Sequence, residues 1–136
     1  KKNVTENVPG LAFINKLRPV TYNLDIHRQN QMIYADKPDA DKDFEGKYDI
    51  EKQVMSGFIA QEVEESAKAV GYDFHGIDKP QTPDGLYGLR YSDFIVPLVK
   101  AVQELSSANI KQQQMMDELK KQNELLQQQI ELLKKK

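Results

Sequence analysis

Hydrophobic spacing changes period several times along the chain. Between Pro9 and Leu17, the apolar residues Leu11, Ile14 and Leu17 recur at helical spacing. Pro9 suits a first helical turn, while Pro19 turns Arg18 away from helix, so a short helix is expected to stop there. In "VTYNLDI", Val20, Tyr22, Leu24 and Ile26 alternate with Thr21, Asn23 and Asp25, the period of a strand with one dry face. Residues 27–53 lose the pattern. Asp, Lys and Gln crowd the stretch and its few apolar residues keep no period, which predicts a protruding polar excursion, either a long loop or an irregular hairpin arm. "MSGFIAQ" then reads as a buried strand and "EVEESAKAVG" as a helix, with Val63, Ala67 and Val70 on one face and Gly71 at its C-terminal cap. Residues 72–86 read as loop, with Pro80, Pro83 and the turn signal Asp84-Gly85. Tyr87, Leu89 and Tyr91 suggest one more strand, ending at Ser92.

From Ser92 to the last residue there is no glycine, and one helix is expected throughout, with Ser92 as N-cap and Asp93 at the positive end of the dipole. Pro97 falls near its start, where a missing amide bond is tolerable at the cost of a slight bend. At 1.5 Å per residue the helix would be roughly 60 Å long, more than a head of this size can cover. In heptads from Leu98, the d positions are Leu98, Leu105, Gln112, Leu119, Leu126 and Leu133, and the a positions are Val102, Asn109, Met116, Asn123 and Ile130. All but Asn109, Gln112 and Asn123 are apolar. So narrow a stripe on a helix rich in Lys and Gln needs partner helices. At about 1.5–3 kcal/mol per buried side chain it offers roughly 12–24 kcal/mol gross per strand, before ordering entropy is subtracted.

The amides at Asn109, Gln112 and Asn123 weaken the seam but penalise shifted registers, where they would be buried unpaired. The e and g sites, mostly Gln, Ala and Lys, carry little charge to select a different partner, so a homo-oligomer is the simplest reading, with strand number left open between two and three. In the first turns Ile95, Leu98, Val99 and Val102 form a wider face that is expected to lie on the chain's own head. The fold class is therefore α+β: a head over residues 1–91 with the 27–53 arm, then a helix over 92–136 that forms a coiled coil from about 98.

Composition narrows the chemistry. Without cysteine there is no thiolate zinc site, disulfide or cysteine nucleophile, and only His27 and His75 offer imidazoles; both read as polar loop residues. With Lys and Arg numbering 19 against 21 Asp and Glu, no broad basic field exists to hold a phosphate backbone, so nucleic acid is not an expected partner. No apolar run approaches the roughly 20 residues that cross a bilayer, and no membrane partner is expected. "DADKDFEG" spaces carboxylates like a calcium loop, yet its sixth position is Phe44 where glycine is needed and its twelfth is Ile50 where a bidentate Glu is needed. Glu62, Glu64 and Glu65 read as dipole-favoured first-turn residues in preference to an acid–base pair. Ser92 has no base at readable spacing, so cap outweighs nucleophile. No complete active site, metal site or cofactor site is expected within these residues.

The order of segments carries a resemblance: Lys1-x-Asn3-Val4, then "LAFINKLRPVTYNLD", then "GFIAQEVEE", then "YGLRYSDFIVPLVKAVQEL" running into the heptads. Arg18-Pro19-Val20-Thr21-Tyr22, Gly57 to Val63 and Leu98 to Leu105 are together quite specific. The chain resembles the peptidase S74 family of intramolecular chaperone domains, found at the C-terminal ends of phage tail spikes, endosialidases and tail fibres.

The resemblance implies a parallel homotrimer that registers an upstream fibre or spike domain of the same polypeptide in the bacterial cytoplasm, the parent being a virion or prophage-derived fibre. That family begins with a Ser-Asp-x-Arg-x-Lys pattern whose serine and lysine form a self-cleaving dyad cutting just before the serine. Its continuation matches Lys1, Lys2, Asn3 and Val4, which implies Lys1 as general base, with the serine expected five residues before it. These residues alone would then be proteolytically inactive, and because such a cut leaves the serine on the chaperone side, a start at Lys1 is shorter than the cleavage product. Two alternatives remain at this stage: a cap or tip of a tail fibre that is never cut, and a host-binding tip that uses the 27–53 arm.

Overall fold

The computed structural model describes residues 1–83 and 85–136. After an exposed N-terminal segment come α1 (Leu11–Ile14), β1 (Val20–Tyr22), α2 (Ile26–Ile33), β2 (Met55–Gly57), α3 (Ala60–Ala69), β3 (Ile77–Asp78), β4 (Gly88–Leu89) and α4 (Ile95–Lys134), with 3-10 turns at Pro38–Ala40, Asp49–Lys52 and Tyr91–Phe94. Helices and two small antiparallel ribbons make the head, and α4 leaves it as a 40-residue rod, about 60 Å long.

β1 pairs with β2 in the register Val20 with Gly57 and Tyr22 with Met55. The strand predicted over 20–26 is therefore only three residues long. Asp25 ends it by turning its carboxylate back onto the Arg28 N–H at 2.9 Å, an N-cap for α2. Asn23 donates to the carbonyls of Glu51 and Gln53, both at 2.9 Å, and so closes the base of the excursion. The arm is an irregular hairpin connection between antiparallel strands, and it contains a helix over Ile26–Ile33 where the pattern showed no period.

Two further strands are shorter than predicted. "MSGFIAQ" is strand only to Gly57, and α3 begins at Ala60. The third ends at Leu89, and Tyr91 already opens a 3-10 turn. Its partner β3 lies in the stretch read as loop, with Ile77 opposite Leu89 and Asp78 opposite Gly88. The turn signal Asp84-Gly85 falls in part on Asp84, which lies outside the described residues; the Gly85 N–H donates to the Thr82 carbonyl at 3.0 Å.

α3 ends as its sequence requires. Gly71 takes φ +65°, its N–H donates to the Lys68 carbonyl at 3.1 Å, and the Tyr72 N–H reaches back to Ala67 at 2.9 Å. These paired bonds satisfy carbonyls that a helix end leaves open, and glycine adopts the left-handed cap without a Cβ penalty. Val63 and Ala67 face the core, and Val70 packs at its edge.

That core is aromatic and assembled from distant segments. Phe13, the only fully buried residue of α1, meets Phe74 at 5.1 Å and Tyr72 at 5.3 Å between ring centroids. Phe94 continues the cluster, 4.7 Å from Phe74 and 5.3 Å from Phe58. Such offset and edge contacts add about 0.5–1.5 kcal/mol per pair beyond the area they bury. The cluster anchors the root of α4, because Phe94 immediately precedes that helix.

Candidate functional site

The long helix meets the head along one face only. Phe94, Pro97 and Ala101 are buried, and Glu104 is half-buried beside them. Against this face lies the start of α1, where the Glu104 carboxylate accepts the Leu11 N–H at 2.8 Å. Glu104 thus serves as a cap supplied from another element, since Gly10 at the N-cap position has no side chain to do so. Gly10 is required by proximity: a Cβ there would stand 2.7 Å from the Ala101 nitrogen and from a Glu104 carboxylate oxygen.

Two expectations about this region are corrected. Ser92 is not the N-cap of α4; it lies inside the 3-10 turn with its hydroxyl 3.3 Å from an Asp93 oxygen, and Asp93 itself receives Arg90 Nε at 3.1 Å. Nor does the head cover Ile95, Leu98, Val99 and Val102, all of which are exposed. Pro97 lies on the face that does turn inward. Its ring is fully buried against the head, and in the first turn its missing N–H breaks no intrahelical bond, so proline is tolerated there.

With that face inward, the heptad stripe is left open along its whole length. Its apolar members range from 45% exposed at Leu98 to 69% at Leu133, and Asn109, Gln112 and Asn123 are exposed on the same line. Nothing beyond Glu104 on α4 is even half-buried. Among the described residues, this line of large apolar side chains in water, interrupted by three amides on a largely polar rod, is an extensive apolar surface that the chain's own fold does not cover.

Lys1 lies in an exposed N-terminal segment. Residues 1–7 are all exposed, Asn3 takes φ +55°, and Thr5 Oγ1 donates to Asn7 Oδ1 at 3.1 Å within the segment. Glu6 and Val8 then pass beside α4, forming with Val96, Val99, Lys100 and Gln103 a groove of about 320 Å³.

Of the carboxylates and imidazoles weighed as chemistry, Glu62, Glu64, His27 and Asp41 have other partners. Glu62 is held by Arg18 at 2.5 Å. Glu64, its side chain only 13% exposed, takes Lys68 at 2.5 Å and Lys79 at 2.7 Å; these two hydrogen-bonded ammonium groups, Lys68 the stronger, lower its pKa to about 2. Glu65 is exposed, as is His75. His27 is not a loop residue: it lies in α2, stacks on Tyr48 at 3.6 Å between centroids, and shares its Nδ1 with Glu51 at 2.9 Å. The His27 amide, first, and its ring hold Glu51 below the usual carboxylate range. In the stretch Asp39 to Gly46, Asp41 is bonded to Lys47 at 2.5 Å and to Asn30 at 3.2 Å. Sequence reasoning missed the Glu104 cap and the His27–Glu51 pair, because 93 and 24 residues separate their partners.

An aromatic-cored head whose last helix continues as a long rod with an open aliphatic line is a head-and-stalk domain. Residues 1–72 match the peptidase S74 family, described as the chaperone of endosialidase, and the chain belongs to that family. The matched span includes Arg18 to Tyr22 and Gly57 to Val63, while α4 lies beyond it. No curated protein and no solved structure matches the chain.

Proposed function

We propose that this domain is an intramolecular chaperone that acts by self-association through α4. Three parallel copies, joined along Leu98, Val102, Leu105, Met116, Leu119, Leu126, Ile130 and Leu133, hold the upstream fibre or spike domains of the same polypeptides at high local concentration and in one register. Asn109, Gln112 and Asn123 set the alignment. Registration matters because intertwined fibres rely on non-local strand pairing, which is slow and exposed to aggregation. The observation that carries this reading is the uncovered stripe: α4 turns a different face to its head and keeps its heptad line free. Family membership supports the chaperone role, and three strands in preference to two follow from the resemblance of the chain to fibre-tip chaperones.

The same reading assigns Lys1 as the general base of a Ser-Lys dyad whose serine would precede it by five residues. The lysine amine accepts the serine proton only when neutral, which calls for a lowered pKa in the assembled parent. Release after folding would leave the fibre kinetically trapped. The domain would do this work in a bacterial cytoplasm while a phage or prophage fibre is assembled.

Light scattering at micromolar concentration tests the first part: the expected mass is three times 15.6 kDa, and a single-chain mass overturns the proposal. A longer chain carrying the upstream segment tests the second. Intact-mass measurement should find two pieces, and Lys1→Ala should leave them joined. If the unsubstituted longer chain also stays whole, the domain is a permanent trimerising cap.

A further inference from the structure

The groove beside the root of α4 has a definite place in such an assembly. In the heptad frame that makes Leu98 a d residue, the face turned to the chain's own head is made of g and c positions: Phe94 and Ala101 at g, Pro97 and Glu104 at c. The opposite flank carries Val99 at e and Val96 and Gln103 at b, and both valines are more than half exposed. Glu6 and Val8 form the other wall of the groove. Along the rest of the rod the e position is polar, with Ser106, Gln113, Lys120, Gln127 and Lys134. The e flank is therefore apolar only at the height of the head.

In a parallel coiled coil the e flank of one helix faces the g flank of the next. Here the g flank is occupied by the chain's own α1, seated on Ala101 through Gly10 and Glu104. We propose that the groove of Glu6, Val8, Val96, Val99, Lys100 and Gln103 is the docking site for α1 of the neighbouring copy. The occupant is the exposed outer side of that helix, around Ala12. Each head then sits between its own stalk and the next, a head-to-tail contact that closes only as a ring. The heads become part of the interface, and the assembly buries Val96 and Val99 as well as the seam.

This rests on the parallel self-association proposed above, and the experiments separate the two. The chain has no cysteine, so Ala12→Cys and Val99→Cys placed together report directly on the contact. Mild oxidation of the full chain should link copies into covalent rings whose largest band on a non-reducing gel equals the mass found by light scattering. Neither single variant should pass the two-chain band. Val96→Glu with Val99→Glu, which spares every a and d residue, should raise the concentration at which the oligomer half-dissociates by about tenfold or more. If the unsubstituted chain is a single protomer, the underlying reading fails. If it is an oligomer but the double-cysteine chain links no further than the singles and the glutamate pair leaves dissociation unchanged, the docking site is wrong and the seam stands.

Discussion

At the scale of residues, the joint between head and stalk depends on a glycine and a carboxylate. Gly10 admits the backbone of α4 at a distance where no Cβ fits, and Glu104 crosses the gap to cap α1. Because one of the atoms in the way is the Ala101 backbone nitrogen, it cannot swing aside as a flexible side-chain end would. Gly10→Ala should therefore destabilise the domain by about 1–3 kcal/mol, the usual cost of overpacking. Urea denaturation at fixed protein concentration measures it, since the proposed association would also contribute to apparent stability.

A second residue-scale prediction concerns acid. Glu64 ionises with a pKa of about 2 in the folded protein against 4.5 ordinarily, because Lys68 and Lys79 bond its carboxylate. A depressed folded pKa means that the unfolded chain binds the proton first. The stabilisation is complete above about pH 4.5 and is lost as pH falls toward 2. Glu64→Gln should flatten that part of the curve of urea midpoint against pH. Equal acid sensitivity in the variant would show that the two lysines do not act through Glu64.

At the scale of elements, α4 does two jobs with two faces. Its first turns bury a g/c face against α1 and the aromatic cluster, and its remaining turns keep an aliphatic line uncovered. Separation of faces makes the stalk testable without touching the head. Leu119→Asp lies far beyond the last half-buried position, so the aromatic core should keep its near-ultraviolet circular dichroism while the proposed oligomer dissociates. The lost burial alone is about 1.5–3 kcal/mol per chain, and a charge in the seam adds to it. An unchanged mass by light scattering would remove Leu119 from the interface.

Short elements were read less well than long ones for a shared reason. The strand that starts at Val20 alternates through Ile26, yet Asp25 finds the Arg28 amide and turns the chain into helix. Local side-chain capping competes with extended pairing, and the winner depends on whether a partner strand is there to continue the ladder. β2 offers three partners, Met55 to Gly57, and no more.

At the scale of the whole molecule, the arrangement is a small head that could not bury its own last helix. Three such chains, if joined in parallel along α4 as proposed, would hold their upstream segments close together and in fixed register. The longer chain with Lys1→Ala remains the test at this scale: failure to separate with folding intact assigns the lysine to cleavage, and normal separation assigns that role elsewhere.

Much of this protein follows from local order in its sequence. The length of α4, its heptad line, the glycine cap at Gly71 and the family-specific segments are all visible there, because helix periodicity and capping act over a few residues. Tertiary structure alone decided which face of α4 turns inward, that Phe13, Tyr72, Phe74 and Phe94 share one core, that β3 exists, and that Glu104 caps a helix 93 residues earlier. Each of those depends on which distant surface a residue meets, and periodicity can mark a face as apolar without naming what covers it.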